Sequence, residues 1–486
     1  MLAGILVLFL YSGTFNFMDL FNTAGNWLPA MAAAPGVLAL TSVLILLGAF
    51  AKSAQFPFQE WLPEAMAGPT PVSALIHAAT MVKAGVYLVA RVLPIFFFAY
   101  WVATPNFPEA MVFFVMLAVV GGFTIFLAAS QALVSKELKK VLAYSTMGSI
   151  GYMMLALGVS GMSANNLIDG LSSSIFFLIN HGIFKAALFL GAGIVIHESD
   201  SIYMSDMKLS RQKMRFTWIF MWLAGLSLMG VPPFAGFWSK DDVLISCWQA
   251  GQYGLFALVL VSVILTTFYV VRFMGIIFSS KQPRKTDEKH GKETSALELV
   301  PLGLLAALTV AIGLVGPWFS SALSNVFETY FTQSLSHPLI TVTGATVAAG
   351  SNTLLLEAAV AVSSTLMILI GLIPSYWFFI SQKVSAESLI SKYPALKTMH
   401  SFLWNRWYIE AFYNKVFVNS VISAKDLVPR FIEQPLDWAF NVGVPRGFAG
   451  LHRGLKEVQT GILSVNMLYF IGLIVAVLLF FWLEVL

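Results

Sequence analysis

Residues 49–91 read AFAKSAQFPFQEWLPEAMAGPTPVSALIHAATMVKAGVYLVAR. The pattern predicts two apolar helices joined by a proline-rich bend. Each carries a lysine at a depth where lipid normally forbids one: Lys52 ends the first and Lys83 lies inside the second. An ammonium so placed must pair, give up its proton or face water, and ionisable groups inside a membrane bundle mark transport paths. The stretch therefore fixes both the fold class, a membrane-spanning helical bundle, and the chemistry to look for, which is proton carriage.

Composition agrees. The 486 residues are 58% hydrophobic and 11% charged, and the mean hydropathy is +0.80. Soluble domains carry about twice that charge. The 36 Gly and 20 Pro suit an all-α polytopic bundle, because neighbouring helices satisfy the backbone groups these residues free. The lone Cys247 excludes an intrachain disulfide, a cysteine-ligated iron-sulfur cluster and a CxxC pair. No glycine-rich phosphate loop, Walker pattern or haem-like histidine pair occurs. No cofactor is expected in this chain, and electron chemistry must sit elsewhere. Moving a charge across a membrane takes roughly 2.3 kcal/mol per 100 mV, so energy must come from outside it.

Runs long enough to span fall at Gly36 to Lys52, Thr70 to Leu93, Met111 to Val134, Val141 to Ser160, Leu171 to Ile196 and Phe216 to Val231. They continue at Tyr253 to Phe278, Leu299 to Trp318, Leu355 to Ile380 and Val465 to Leu483. Met1 to Leu10 is about half the length a crossing needs and lacks signal-peptide features; it reads as the second half of a helix that begins outside this sequence. That makes about eleven crossings. Basic clusters at Lys136, Lys139 and Lys140, at Lys208, Arg211, Lys213 and Arg215, and at Lys281, Arg284, Lys285, Lys289 and Lys292 alternate with connections free of Lys and Arg, at Ala99 to Pro108, Gly161 to Asp169 and Ser320 to Pro338. Alternation puts all three clusters on one face, cytoplasmic by the positive-inside rule. A multi-pass protein of the cell membrane is expected.

Two crossings are broken, at QFPFQEWLPEAMAGPTP after Lys52 and at MGVPPFAGFWSKDD before Lys240. Broken helices with a charge at the break, recurring in separate parts of a bundle, point to a transport path and to an internal repeat. Residues 381–464 carry scattered charges among spaced apolar residues and read as an amphipathic helical segment along the cytoplasmic side; one last spanning helix, 465–486, follows.

Each candidate residue has a plainer alternative. Lys52 could snorkel to the interface. Lys83 lies too far inside its crossing for that; His77, in the same run, is placed on a different face by helical spacing. His181 and Lys185 are spaced i, i+4, on one helix face about 6 Å apart, where two cations repel and hand a proton between them. Their alternative is a helix-helix polar contact made with Asn180, Ser172, Ser173 and Ser174; metal ligation lacks a second ligand at the right spacing. Lys240 precedes Asp241 and Asp242, either as a local ion pair at a helix start or as an exit gate. Glu60, Glu64 and Glu137, with Lys139, are weaker interfacial candidates.

Four motifs, GAFAKSAQFPFQEWLPEAMAGPTPVSALIHAATMVKAGVYL, KELKKVLAYSTMGSIGYM, FLINHGIFKAALFL and GVPPFAGFWSKDDVL, occur in an order that resembles the L-type (subunit 5) antiporter-like subunit of the complex I family. The resemblance implies a proton-pumping module driven by electron transfer in partner subunits, which would hold flavin and iron-sulfur clusters and a quinone-type acceptor. It implies roles for Lys52 and Lys240 as the lysines of the two broken helices, for His77 and Lys139 near the first, and for His181 and Lys185 as the central relay. It further implies that a glutamate partner of Lys52 lies on helices outside this sequence. Lys83 departs from many L-type members and matches M- and N-type subunits and cation-proton antiporters, while Phe177 stands where many relatives have a second relay histidine. The implied organisation is the end of a first antiporter half-repeat (1–93), a second five-helix repeat (94–279), additional helices (280–380), a lateral segment (381–464) contacting the M- and N-type subunits, and an anchor (465–486). The electron donor, NADH or reduced deazaflavin, stays open. The alternatives are a subunit of a multisubunit sodium or potassium to proton antiporter and a non-pumping scaffold.

Overall fold

The computed structural model describes residues 1–278, 293–333, 351–425, 427–458 and 461–485. The basic cluster at Lys281 to Lys292 lies outside the described residues. Among them the chain is helical, and the sole pairing of extended backbone is a β-bridge between Glu137 and Tyr203.

The first helices are α1 (Leu2–Ser12), α2 (Phe17–Asn22), α3 (Ala24–Ala32) and α4 (Val37–Lys52). The Asn16 side chain accepts from the Met18 N–H at 2.9 Å and starts α2. Between α3 and α4 the axis bends by 108°, and Gly36 makes that corner at φ 80°, a backbone region glycine enters freely. The Glu109 carboxylate accepts from the Gly36 and Ala39 N–H groups at 2.9 and 3.5 Å. An anion there satisfies free amides and the positive end of the α4 dipole.

The bundle continues through α5 (Trp61–Glu64), α6 (Thr70–Ala78), α7 (Met81–Phe97), α8 (Met111–Val134), α9 (Leu138–Ser160), α10 (Leu167–Ser199) and α11 (Met204–Met207). Then come α12 (Arg215–Met229), α13 (Ala235–Gln249), α14 (Tyr253–Ile277), α15 (Ala296–Leu314), α16 (Gly316–Gln333) and α17 (Ser351–Ser375), followed by α18 (Ala386–Lys392) and α19 (Pro394–Trp404). Among the described residues, eight helical stretches are long and apolar enough to cross a membrane, nine with the bent α3–α4 pair counted as one. The two remaining expected crossings are the shorter apolar helices α1 and α12; α12 stops at the Val231–Phe234 break, beyond which α13 resumes.

Two expectations are corrected. Thr70 to Leu93 lies within one spanning stretch, Thr70–Val102, as expected, but its helix is interrupted at Ala79–Thr80 into α6 and α7, where the Thr80 hydroxyl donates to the Leu75 carbonyl at 3.0 Å. Helical spacing across that break does not relate His77 to Lys83. Part of the expected Ser320 to Pro338 connection is helix α16.

The chain divides into two compact units, Met1–Arg406 and Trp407–Leu486. The division falls inside the segment read as amphipathic. Arg406, Trp407 and Tyr408 all have positive φ, 51°, 59° and 57°, a left-handed turn that costs ordinary side chains free energy. The second unit comprises α20 (Ile409–Tyr413), α21 (Asn419–Ala424), α22 (Gln434–Trp438), the amphipathic α23 (Val444–Val458) and the apolar α24 (Leu463–Val485).

In the first unit α9 is the axis: it is buried along almost its whole length and packs against α8 and α10. Small residues permit this. A Cβ on Gly121 of α8 would lie 2.7 Å from the Leu155 backbone N, one on Gly151 would lie 2.8 Å from the Gly121 carbonyl oxygen, and one on Gly158 would lie 2.4 Å from the Ala118 N. Close helix approach in lipid depends on such residues. Gly151→Val should therefore cost about 1–3 kcal/mol through overpacking, seen as a lowered unfolding midpoint of the detergent-solubilised assembly. Gly254→Ala, at a position with open space around it, should leave that midpoint unchanged.

Candidate functional site

The site follows from where α6, α7, α9, α10, α12 and α13 place their ionisable residues. Lys185, on α10, is fully buried; its ammonium donates to the Leu142 carbonyl at 3.1 Å and to the Ser145 hydroxyl, both on α9. Lys83, on α7, donates to the Leu178 carbonyl of α10 at 2.7 Å. Its nitrogen would lie 2.7 Å from a Cβ on Gly182, which sets the amine against the α10 backbone beside His181. Lys240, on α13, donates to the Leu228 and Met229 carbonyls at 2.6 and 3.3 Å and lies 5.5 Å above the Tyr152 ring. Those two carbonyls close the last turn of α12. A helix C-terminus leaves carbonyls without intrahelical partners and carries partial negative charge, so it receives a cation well.

Backbone contact makes this last arrangement possible. A Cβ on Gly236 would sit 1.8 Å from the Ser227 carbonyl oxygen, so only glycine lets α13 return this close to α12. The Gly236 N–H donates to the Ser227 hydroxyl at 3.1 Å.

His77 and His181 are fully buried, and no ring nitrogen of either meets a hydrogen-bond partner among the described residues. His77 lies 4.7 Å from the Phe189 ring, and His181 lies between Phe177 and Phe184 at 6.5 and 5.5 Å. His181 is within electrostatic range of Lys83, Lys185 and His77, and Lys185 is within range of Lys240. His77, Lys83, His181, Lys185 and Lys240 are thus all buried, each within electrostatic range of at least one other, and His77 is also within range of Lys139.

The polar contact weighed as the alternative for His181 exists without it. Asn180 donates to the Ala235 carbonyl at 3.1 Å, the Ser173 and Ser246 hydroxyls lie 3.2 Å apart, and Ser324 bonds Ser172 at 3.0 Å. The helix-helix contact is made by Asn180, Ser172 and Ser173, while the Ser174 hydroxyl meets no partner among the described residues.

Other candidates are placed differently. Lys52 is exposed at the end of α4, outside the buried group. Lys139 donates to the Gly68 carbonyl at 2.5 Å. Glu137 pairs with Lys140 at 3.2 Å, while Glu60 and Glu64 pair with Arg406 at 3.4 and 2.9 Å. Asp241 and Asp242 accept from Ser364 and Ser320 at 3.3 and 2.8 Å. Neither forms an ion pair with Lys240 among the described residues, so the expected local pair is replaced by serine contacts to α17 and α16.

Sequence reasoning missed the hydroxyls between the lysines. Tyr269, on α14, lines the same narrow cavity as Ser145, whose hydroxyl the Lys185 ammonium meets. A narrow cavity of about 10 Å³ is lined by Tyr144, Ser145, Tyr152, Lys240, Thr266 and Tyr269, among others; that is about the least space that holds one water. The Tyr152 hydroxyl is buried without a hydrogen-bond partner among the described residues. Aromatic and serine positions in apolar helices look like ordinary packing, which is why they gave no signal. Arg272, whose guanidinium donates to the Ser135 carbonyl at 2.9 Å, was legible as a lone cation in an apolar run and was overlooked.

With this geometry in place, the chain can be set beside known proteins. Residues 1–266 match the family model described as NADH:quinone oxidoreductase/Mrp antiporter, TM. NAD(P)H-quinone oxidoreductase chain 5 of the cyanobacterium Picosynechococcus is 34% identical over 99% of this chain and 71% of its own length. The chloroplastic subunit 5 of Zea mays is 32% identical over 99% of this chain and 74% of its own. A chain of the Mrp complex from Dietzia matches 98% of this chain with a TM-score of 0.58 and 25% identity; the chain spans 44% of that one. A chain of the membrane-bound sulfane sulfur reductase, an archaeal respiratory membrane complex, matches 67% with a TM-score of 0.57 and 26% identity; 61% of that chain is covered. These relatives are parts of multisubunit membrane assemblies, and with a match over more than half its length this multi-pass chain belongs to the NADH:quinone oxidoreductase/Mrp antiporter transmembrane family.

Proposed function

We propose that the chain is a proton-translocating membrane subunit of a redox-driven, complex I-type dehydrogenase, passing protons along Lys83, His181, Lys185 and Lys240 with His77 alongside. The observation that carries the reading is that Lys83, Lys185 and Lys240 lie buried on uncharged oxygens, with no carboxylate at ion-pair distance among the described residues. A carboxylate would lock such an ammonium in its charged state; carbonyls and hydroxyls hold it and let the proton leave. The two unpartnered histidines suit short water bridges, since buried polar groups are normally bonded.

Flavin and iron-sulfur clusters belong to partner subunits in this reading, as does the quinone-type acceptor, and the electron donor is NADH or reduced deazaflavin. The 381–464 segment lies along neighbouring M- and N-type subunits, the host bilayer is the cell membrane, and 1–93 and 94–279 form successive antiporter repeats. Lys52 completes the first of them with a carboxylate from elsewhere in the assembly. Asp241 and Asp242 stand at the exit beyond Lys240, while Lys139, Glu60, Glu64 and Glu137 serve the margin of the path. The likeness to the Mrp complex chain favours cation-proton antiport as the second reading.

In native membrane vesicles, Lys185→Ala or Lys240→Ala should lower protons pumped per electron at least threefold while uncoupled electron transfer persists. Unchanged pumping in both would leave only a scaffold. Pumping that demands sodium and ignores the electron donor would establish antiport. Ser145→Ala, which removes the hydroxyl that the Lys185 ammonium meets, should slow pumping severalfold without loss of assembled complex, as read by the initial rate of vesicle acidification.

A further inference from the structure

Two cavities share a wall. On the basic face a cavity of about 400 Å³ is lined by Gln131, Lys136, Glu137, Lys140 and Arg406, with Tyr144 also on its wall. Tyr144 lines the narrow inner cavity as well, together with Ser145 and Lys240. It is 4% exposed. Gln131 is 2% exposed, and neither its Oε1 nor its Nε2 meets a partner among the described residues. A buried amide with both ends unsatisfied, on the wall of a roomy polar cavity, is the mark of a site built for water.

The mouth is stapled. Arg406 reaches Glu60 and Glu64 at 3.4 and 2.9 Å, Glu64 also meets Lys140 at 3.8 Å, and the Lys136 ammonium lies 4.8 Å above the Trp404 ring. These pairs are partly exposed, where ion pairs hold weakly and part readily.

We propose that this cavity is the funnel by which protons from the basic face reach the Lys185–Lys240 segment, that Tyr144 hands them to the inner cavity, and that Arg406 is the lid. The proposal rests on the proton-translocating reading. At Tyr144 a proton from funnel water binds the phenol oxygen as the original hydroxyl proton leaves toward Ser145, so the residue ends neutral and no other reactant is consumed. Gln131 offers a donor and an acceptor that orient the water. Arg406 touches no proton in transit; it positions the mouth through its pairs to Glu60 and Glu64.

The test uses the full assembly in vesicles with the basic face outward, Cys247→Ser throughout and Ser135→Cys in the funnel, probed by a membrane-impermeant maleimide. Arg406→Ala should raise the labelling rate at least fivefold and Arg406→Lys less than twofold; equal rates in both and in the parent would overturn the lid. Tyr144→Phe, which keeps the ring, should lower protons pumped per electron at least threefold, and Gln131→Leu should do so comparably. If Lys240→Ala abolishes pumping while Tyr144→Phe and Gln131→Leu leave it intact, the funnel is wrong and the proton-translocating reading stands. If none of the three alters pumping, both fall.

Discussion

An ammonium group taken out of water must be given oxygen, and this bundle gives it neutral oxygen. Lys83, Lys139, Lys185 and Lys240 all rest on main-chain carbonyls, and Lys185 adds one hydroxyl. Desolvating a charge costs several kcal/mol even after relaxation, so each lysine can be where it is only if the backbone around it has acceptor capacity to spare. Helix ends and breaks have the most. Much of the architecture of the first unit can be read as the supply of such oxygens: α12 stops at Met229 and offers its last carbonyls to Lys240, and Gly68, in the connection between α5 and α6, offers its own to Lys139.

That requirement links the backbone irregularities to the chemistry. The second break is held open by the close approach of Gly236 to Ser227, and the first is tied down by the Ser53 hydroxyl bonding the Val82 carbonyl at 2.7 Å, one residue before Lys83. Gln55 reaches across to the Met147 carbonyl at 3.3 Å. The polar bend after Lys52 is thereby fastened to α7 and α9, the helices that carry Lys83 and cradle Lys185. A rigid seat for each amine follows from packing that no single helix could provide.

The sequence disclosed the lysines and histidines because a charge in an apolar run is conspicuous. It disclosed the breaks at Pro57 and Pro232–Pro233 because proline leaves a mark. It did not disclose the break at Ala79–Thr80, where the residues are ordinary helix formers and tertiary contacts decide. Position along the chain did separate Lys52, at a helix end, from Lys83, inside its crossing, but it did not tell that the Lys83 ammonium meets a carbonyl of α10. Ser145, Tyr152, Tyr269 and Gln131 were invisible for a related reason: a hydroxyl or amide in an apolar helix becomes informative only when the residue opposite is known. Arg406, one of several charges scattered after Ile380, acquired meaning only through Glu60 and Glu64, more than three hundred residues earlier.

The neutral cradles also set how many positive charges the group can hold at once. Two cations about 6 Å apart, as His181 and Lys185 are on one helix face, repel by about 3 kcal/mol at an effective dielectric of 20, and among the described residues no carboxylate pairs with Lys185 to absorb the difference. Occupancy of one position therefore discourages occupancy of the next by about a hundredfold, and a new arrival advances by displacing the one ahead. In the proposed relay, traffic through such a group is single file, and its heading is set by which end is loaded first.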